Sequence, residues 1–230
     1  MTNVFWLQME LTERFKKQFI TKKVLYECLD EIKSALGLIH PFPLCDLLEP
    51  LAGFVTVRFR PFKNPHICGM IDKRDPPEVS EIVVNSGNPQ PTMRFGLYHE
   101  TVHWFCHPPG GHYSVLGRGN QGIEDYQANE GAAELELPYR VFLPWMAEKL
   151  ERAGKNPEPE LIARIKEDAV RAFDTSAAIV YYRLEGLKYE LEQVRNGVEL
   201  GNLAFLSHAQ LKARGIAVMS VNEAERRAGR

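Results

Sequence analysis

Several features that define common protein classes are missing from this chain of 230 residues. No apolar run reaches the roughly 20 residues that a membrane-spanning helix needs. Residues 1–10 carry neither a basic segment nor a sustained apolar stretch, so we expect no signal peptide. The formal net charge is only −2, and this balance gives no global signal for binding to nucleic acid or to a membrane surface.

Cysteine is scarce and scattered. The four cysteines are Cys28, Cys45, Cys68 and Cys106, and no two of them form a C-x-x-C pair, which argues against a four-cysteine zinc ribbon. Their wide spacing is also unlike the disulfide framework of a small secreted domain. We therefore expect a cytoplasmic protein with reduced thiols that makes no use of a membrane.

Hydrophobic periodicity predicts an α+β fold. Three short segments rich in β-formers, residues 54–59, 67–71 and 81–85, precede a helical pattern over residues 92–106. We therefore expect a small three-stranded sheet beside that helix. The glycine-rich stretch 108–122 lacks the G-K-[ST] ending of a phosphate-binding loop, and we expect it to be a flexible loop that forms a lid at the cleft. The other predicted helices cover residues 11–36, 44–51, 124–137, 141–153, 160–173 and 175–194.

The most informative motif is His99-Glu100-Thr101-Val102-His103, which lies in a predicted helix. His99 and His103 are about one turn apart, roughly 6 Å along the helix axis, so both imidazoles lie on one face. Two imidazoles so placed can hold one tetrahedral ion. The H-E-x-x-H pattern is typical of zinc peptidases, in which the glutamate acts as general base toward a metal-activated water. Two surface histidines would give the same spacing by chance, but an amphipathic helix that follows a strand favours a Zn²⁺ site.

A catalytic zinc ion needs a third protein ligand and one open position. A third histidine six residues after His103 is excluded because that position is Pro109. The next predicted helix offers Asp125 and Glu124, whose side chains point about 100° apart. Asn129 follows Asp125 by four residues on the same face, and we expect it to hydrogen-bond a ligand histidine.

Three further residues near the motif are candidates for the site. His107 lies four residues after His103, where it could be an alternative ligand or a hydrogen-bond donor to a ligand, although ending the helix is its simplest role. His112 and Tyr126 are candidates to stabilise the oxyanion of a transition state.

Three sequence blocks, in this order, resemble the ImmA/IrrE metallopeptidase family. Residues 82–85 match an I-x-x-N strand, residues 94–104 match R-F-x-x-x-H-E-x-x-H, and residues 127–138 match the end of E-x-x-A-N-x-x-A-A-x-L-x-x-P. The resemblance covers about residues 53–145. It implies a zincin-like metallo-endopeptidase core.

The resemblance also implies a set of ligands. The family's ligands carry over to His99, His103 and the acid at the start of the third block. In this register Asp125 stands where the family usually has glutamate, and aspartate is one methylene shorter. We take Asp125 as the third ligand and keep Glu124 in reserve.

The domain organisation is expected to follow the same resemblance. Residues 1–153 form the zincin-like metallopeptidase domain with its active-site helices, and residues 154–230 form a helical C-terminal region. Within that region, residues 172–187 resemble the segment that follows the peptidase core in the family, as part of a helix-turn-helix-like unit. A plain pair of packed helices fits this segment equally well. The tail from Gly201 onward is weakly patterned and is expected to fray.

The resemblance also implies a partner. Family members often cleave a helix-turn-helix repressor encoded beside them, and so switch on transcription of stress or mobile-element genes. Basic residues near 172–187 are few, so direct binding to nucleic acid is not expected. We expect the substrate backbone to pair with an exposed strand edge at residues 81–85. The alternative function is a non-catalytic regulator, in which the metal braces the fold and the helical region binds a protein or DNA partner.

Overall fold

The computed structural model describes residues 4–17, 20–38, 44–75, 79–115, 122–154 and 157–228. The α+β class is confirmed, because the described residues form both helices and a mixed sheet. The chain divides into two compact units, Met1–Glu136 and Leu137–Arg230. The domain boundary between residues 153 and 154 stays a prediction.

The first unit contains α1 Val4–Lys17, α2 Lys22–Leu36, α3 Leu44–Leu51, β1 Thr56–Arg60, β2 Ile67–Lys73, β3 Glu81–Asn85, α4 Gln90–Cys106, β4 Gly110–Val115 and α5 Ile123–Glu136. The second unit contains α6 Tyr139–Ala153, α7 Pro159–Ala172, α8 Ala177–Gly186, α9 Lys188–Arg195, a 3-10 turn at Leu200–Asn202, α10 His208–Ala213 and α11 Val221–Ala228. Among the described residues, no helix is both long and apolar enough to cross a bilayer.

The single helix predicted over residues 11–36 is two helices, α1 and α2. Thr21 begins α2, because its backbone is extended and its hydroxyl accepts a hydrogen bond from the Val24 N–H at 3.3 Å. Gly37 ends α2 in the left-handed conformation, with φ of 69°. The apolar periodicity continues across the break, which explains why the pattern alone suggested one helix.

In the described part of the chain, the sheet has four strands in the order β1-β3-β2-β4. The three predicted strands are all present, and β1 runs parallel to β3, whereas β2 is antiparallel to both β3 and β4. The expectation that residues 81–85 offer a free edge to a substrate is wrong, because β3 is paired on both sides. The fourth strand lies within the stretch expected to be a flexible loop.

Helix α4 is buried along most of its length, since every residue from 96 to 106 is buried. It packs on β2 and β3 and between α1 and α5. A helix that is apolar all round is expected in such a position. Yet this segment includes His99, Glu100, Thr101 and His103, and burying such side chains costs free energy unless they are paired or bind an ion.

The second unit is entirely helical in its described residues, and its last part is ordered by side-chain hydrogen bonds. The predicted helix 175–194 is divided into α8 and α9. The tail that we expected to fray contains α10 and α11. Asn222 donates to the Tyr181 carbonyl at 3.0 Å and to Glu185 at 2.9 Å, which ties the start of α11 to α8.

Candidate metal centre

Helix α4 brings three potential ligand groups together at the centre of the first unit. One ring nitrogen from His99, one from His103 and one carboxylate oxygen of Glu100 lie within 4.8 Å of one another, and all three residues are buried. The helical spacing that the sequence suggested therefore produces a convergent cluster.

The donor set fits a tetrahedral metal ion. The Nε2 atoms of His99 and His103 are 3.1 Å apart, and the Asp125 carboxylate lies 3.5 Å from His99 Nε2. Ligand distances of about 2.0–2.1 Å at the tetrahedral angle place neighbouring ligand atoms roughly 3.3 Å apart. Two imidazoles and one carboxylate are a donor set that suits zinc, and both measured separations from His99 Nε2 fit it.

Close packing of α5 against α4 makes this convergence possible. Gly131 faces Val102, and a Cβ atom at position 131 would lie 2.9 Å from a Val102 methyl carbon. At the far end of the same helix pair, Arg94 and Glu136 form a buried, bidentate ion pair with N–O distances of 2.7 and 2.6 Å. Both contacts hold α5, and with it Asp125, against the histidine-bearing helix.

The orientation of His99 is set by α5. Its Nδ1 lies 3.0 Å from the Asn129 side-chain oxygen, as expected from the four-residue spacing between Asp125 and Asn129. An amide oxygen only accepts hydrogen bonds, so Nδ1 carries the proton and donates. The Nε2 lone pair of His99 is therefore left for an ion.

His107 both ends α4 and contacts His103. It is the C-cap residue, and its backbone N–H donates to the His103 carbonyl at 3.1 Å. Its ring Nδ1 lies 2.8 Å from His103 Nδ1, and its Nε2 lies 3.0 Å from the Gln127 side-chain oxygen. The sequence reasoning did not find Gln127, because nothing in its neighbourhood predicts which residue it faces.

The Glu100 carboxylate packs against the backbone of β2. A Cβ atom at Gly69 would lie 3.2 Å from Glu100 Cγ and 3.3 Å from one carboxylate oxygen. Glycine at position 69 has no side chain, so it leaves space for the Glu100 carboxylate.

Polar side chains from α1 and β2 cap the last turn of α4. Gln8 donates to the Trp104 carbonyl and Thr12 to the Phe105 carbonyl, each at 3.1 Å. The Lys73 ammonium donates to the carbonyl of the C-cap residue and, at 3.1 Å, to the Thr12 hydroxyl. Burial lowers the pKa of Lys73 to about 7. These groups satisfy carbonyls that a helix end leaves without partners.

The remaining predicted site residues are placed less directly. Asp125 lies in the first turn of α5 beside His99, whereas Glu124 has an electrostatic interaction with Lys73. Tyr126 is exposed on α5, and the His112 side chain lies outside the described part of the structure. The oxyanion role for Tyr126 and His112 stays a prediction.

Comparison with known proteins places this site in context. The model of the family Peptidase_M78, described as an IrrE N-terminal-like domain, matches residues 55–185, which is more than half of the chain. No curated protein matches the chain. The matched segment includes α4 and α5 and therefore every candidate ligand.

Proposed function

Since the chain belongs to the IrrE N-terminal-like family of peptidases, Peptidase_M78, we propose that it is a zinc-dependent endopeptidase. In this proposal His99, His103 and Asp125 hold the ion and Glu100 is the catalytic base. The observation that carries the proposal is the position of His99 Nε2, which lies 3.1 Å from His103 Nε2 and 3.5 Å from the Asp125 carboxylate, because both distances suit edges of one coordination tetrahedron.

When bound, zinc supplies a Lewis acid that lowers the pKa of water toward 7 and polarises the peptide carbonyl. Glu100 accepts a proton from the attacking water at one carboxylate oxygen and passes it to the nitrogen of the leaving amine. The Glu100 carboxylate lies beside Gly69 of β2 and has an oxygen within 4.8 Å of a ring nitrogen of each histidine.

We further propose a regulatory role in the cytoplasm. The substrate is one specific protein, a helix-turn-helix repressor encoded beside the gene for this chain, and cleavage releases the genes that this repressor silences. Membership of the IrrE N-terminal-like family supports this choice. Direct binding to nucleic acid is not part of the proposal.

The test is incubation of the zinc-loaded chain with that neighbouring repressor. We expect a discrete cut, and we expect Glu100→Gln to retain one zinc ion per chain while cleavage slows by at least roughly 100-fold, the scale of general-base catalysis. Glu81→Gln is the matched control, because Glu81 forms an exposed ion pair with Arg58 on the sheet.

Two outcomes would contradict the proposal. Equal cleavage by Glu100→Gln and the parent would remove Glu100 from the mechanism. A parent chain that binds zinc but cuts no neighbouring repressor would favour the non-catalytic regulator instead.

A further inference from the structure

We propose that Gln127 and His107 are positioning residues that fix the ring tautomer of His103 for metal binding. The inference rests on the proposed function, because it concerns the same ion. Neither residue lies in the proposed set of ligands. Their effect is transmitted through hydrogen bonds between side chains.

The side chains of Gln127, His107 and His103 form a row of hydrogen bonds, and the Gln127 oxygen determines which atom donates in each of them. The Gln127 oxygen can only accept, so His107 Nε2 must carry the proton that joins them at 3.0 Å. A neutral imidazole then has a lone pair on Nδ1. That lone pair accepts from His103 Nδ1 at 2.8 Å, so His103 is protonated on Nδ1 and its Nε2 keeps a lone pair.

The other ligand histidine is prepared in the same way. The Asn129 oxygen accepts from His99 Nδ1, which leaves a lone pair on His99 Nε2. Gln127 and Asn129 stand two residues apart on α5. One helix therefore supplies the final hydrogen-bond acceptor for both ligand histidines. The two Nε2 lone pairs then face each other across 3.1 Å, an arrangement that repels unless a cation lies between them.

Burial makes the donor-to-acceptor direction of these hydrogen bonds hard to reverse. His107 is 1% exposed and Gln127 is 6% exposed, so water has little access to replace either partner. The Phe15 ring packs edge-on against His107, with ring centroids 5.7 Å apart, and Lys73 binds the His107 carbonyl. A buried donor left without its acceptor costs more than the bond itself contributes.

The opposite direction would disable the ligand. A group at position 127 that only donates would place the proton of His107 on Nδ1, which would then donate to His103 Nδ1. His103 would carry its proton on Nε2, where an ion cannot bind. The acceptor character of residue 127, rather than its size, is therefore the property that matters.

The experiment measures zinc affinity of the full chain by competition with a chelator, together with thermal unfolding of each metal-free variant. Gln127→Met keeps the length of the side chain but removes the acceptor, and we expect zinc to bind about 10- to 100-fold more weakly. Gln127→Glu keeps an acceptor at the same place, and we expect an affinity within about 3-fold of the parent, as a conservative rescue.

Gln8→Met is the matched control. Gln8 is also a buried glutamine that hydrogen-bonds to α4, but it binds a main-chain carbonyl outside the histidine chain. We expect this variant to bind zinc within about 3-fold of the parent. Equal losses in Gln8→Met and Gln127→Met would show a general loss of packing and would overturn the inference.

Other outcomes also decide the question. If Gln127→Met binds zinc as tightly as the parent, the inference fails while the proposed metal site stands. If the parent binds no zinc, both fail. Should Gln127→Met not fold, nitrogen NMR of the zinc-loaded parent reports the tautomer: a proton on His107 Nε2 supports the inference, and one on Nδ1 overturns it.

Discussion

Replacing Asp125, the proposed third ligand, should weaken zinc binding far more than replacing Glu124. The Asp125 carboxylate lies 3.5 Å from His99 Nε2, close to the roughly 3.3 Å edge of a zinc tetrahedron. Glu124, its neighbour in sequence, interacts with Lys73. Asp125→Ala and Glu124→Ala therefore form a matched pair that removes one carboxylate each from the first turn of α5.

The size of the effect follows from the energy of a zinc site. Structural zinc sites with four ligands bind with about 10–16 kcal/mol, or roughly 2.5–4 kcal/mol for each ligand. Losing one ligand should therefore weaken binding by about two to three orders of magnitude. We expect Asp125→Ala to show this loss and Glu124→Ala to bind within a few-fold of the parent.

Thermal unfolding with added zinc reads out the difference without any substrate. At a zinc concentration 100 times the Kd of the parent, binding stabilises the fold by about 2.7 kcal/mol. For a chain of this length that is a rise in Tm of roughly 5–10 °C. Asp125→Ala, with its weaker affinity, should gain about 1 °C or less at the same concentration.

Two results would refute the assignment of the third ligand. If zinc raised the Tm of Asp125→Ala but not that of Glu124→Ala, Glu124 would be the ligand. A full rise in both variants would mean that neither acid holds the ion.

Two further predictions concern buried charges that support the site. Arg94→Met leaves Glu136 buried without its partner, so urea unfolding should show a loss of about 3–5 kcal/mol, and the double variant Arg94→Met/Glu136→Met should recover most of it; equal losses in both would contradict this. Lys73 has a folded pKa of about 7 and an ordinary value of 10.5, so the unfolded chain binds more protons between these values and the stability that Lys73 contributes rises with pH across that window. In Lys73→Met the free energy of unfolding should lack this rise of about 4–5 kcal/mol between pH 7 and 10.5. Parallel curves of unfolding free energy against pH for the parent and Lys73→Met would count against the prediction.

Much of the metal centre could be predicted from sequence because its geometry is local. The spacing of His99 and His103 becomes a distance through the helical repeat alone, and the spacing of Asp125 and Asn129 works the same way on α5. The three predicted strands were found because their β-branched residues alternate or cluster between turn signals.

The features that sequence missed depend on which elements meet in space. The glycines between 110 and 122 suggested a loop. Strand β4 nevertheless forms at residues 110–115, because ladder hydrogen bonds come from the backbone and need no side chain. Gln127 and Lys73 lie 20 and 34 residues from the His107 groups that they bind, so no local pattern connects them.

The hydrogen bonds between α1 and α4 join residues that lie outside and inside the segment matched by the family model. The segment shared with its family begins at residue 55, but the last turn of the helix that carries His103 hydrogen-bonds to Gln8 and Thr12. The segment matched by the family model and the compact unit Met1–Glu136 therefore have different bounds. The matched segment carries the candidate ligands, whereas α1, which lies outside it, supplies side-chain partners for main-chain carbonyls at the end of the helix that bears His103.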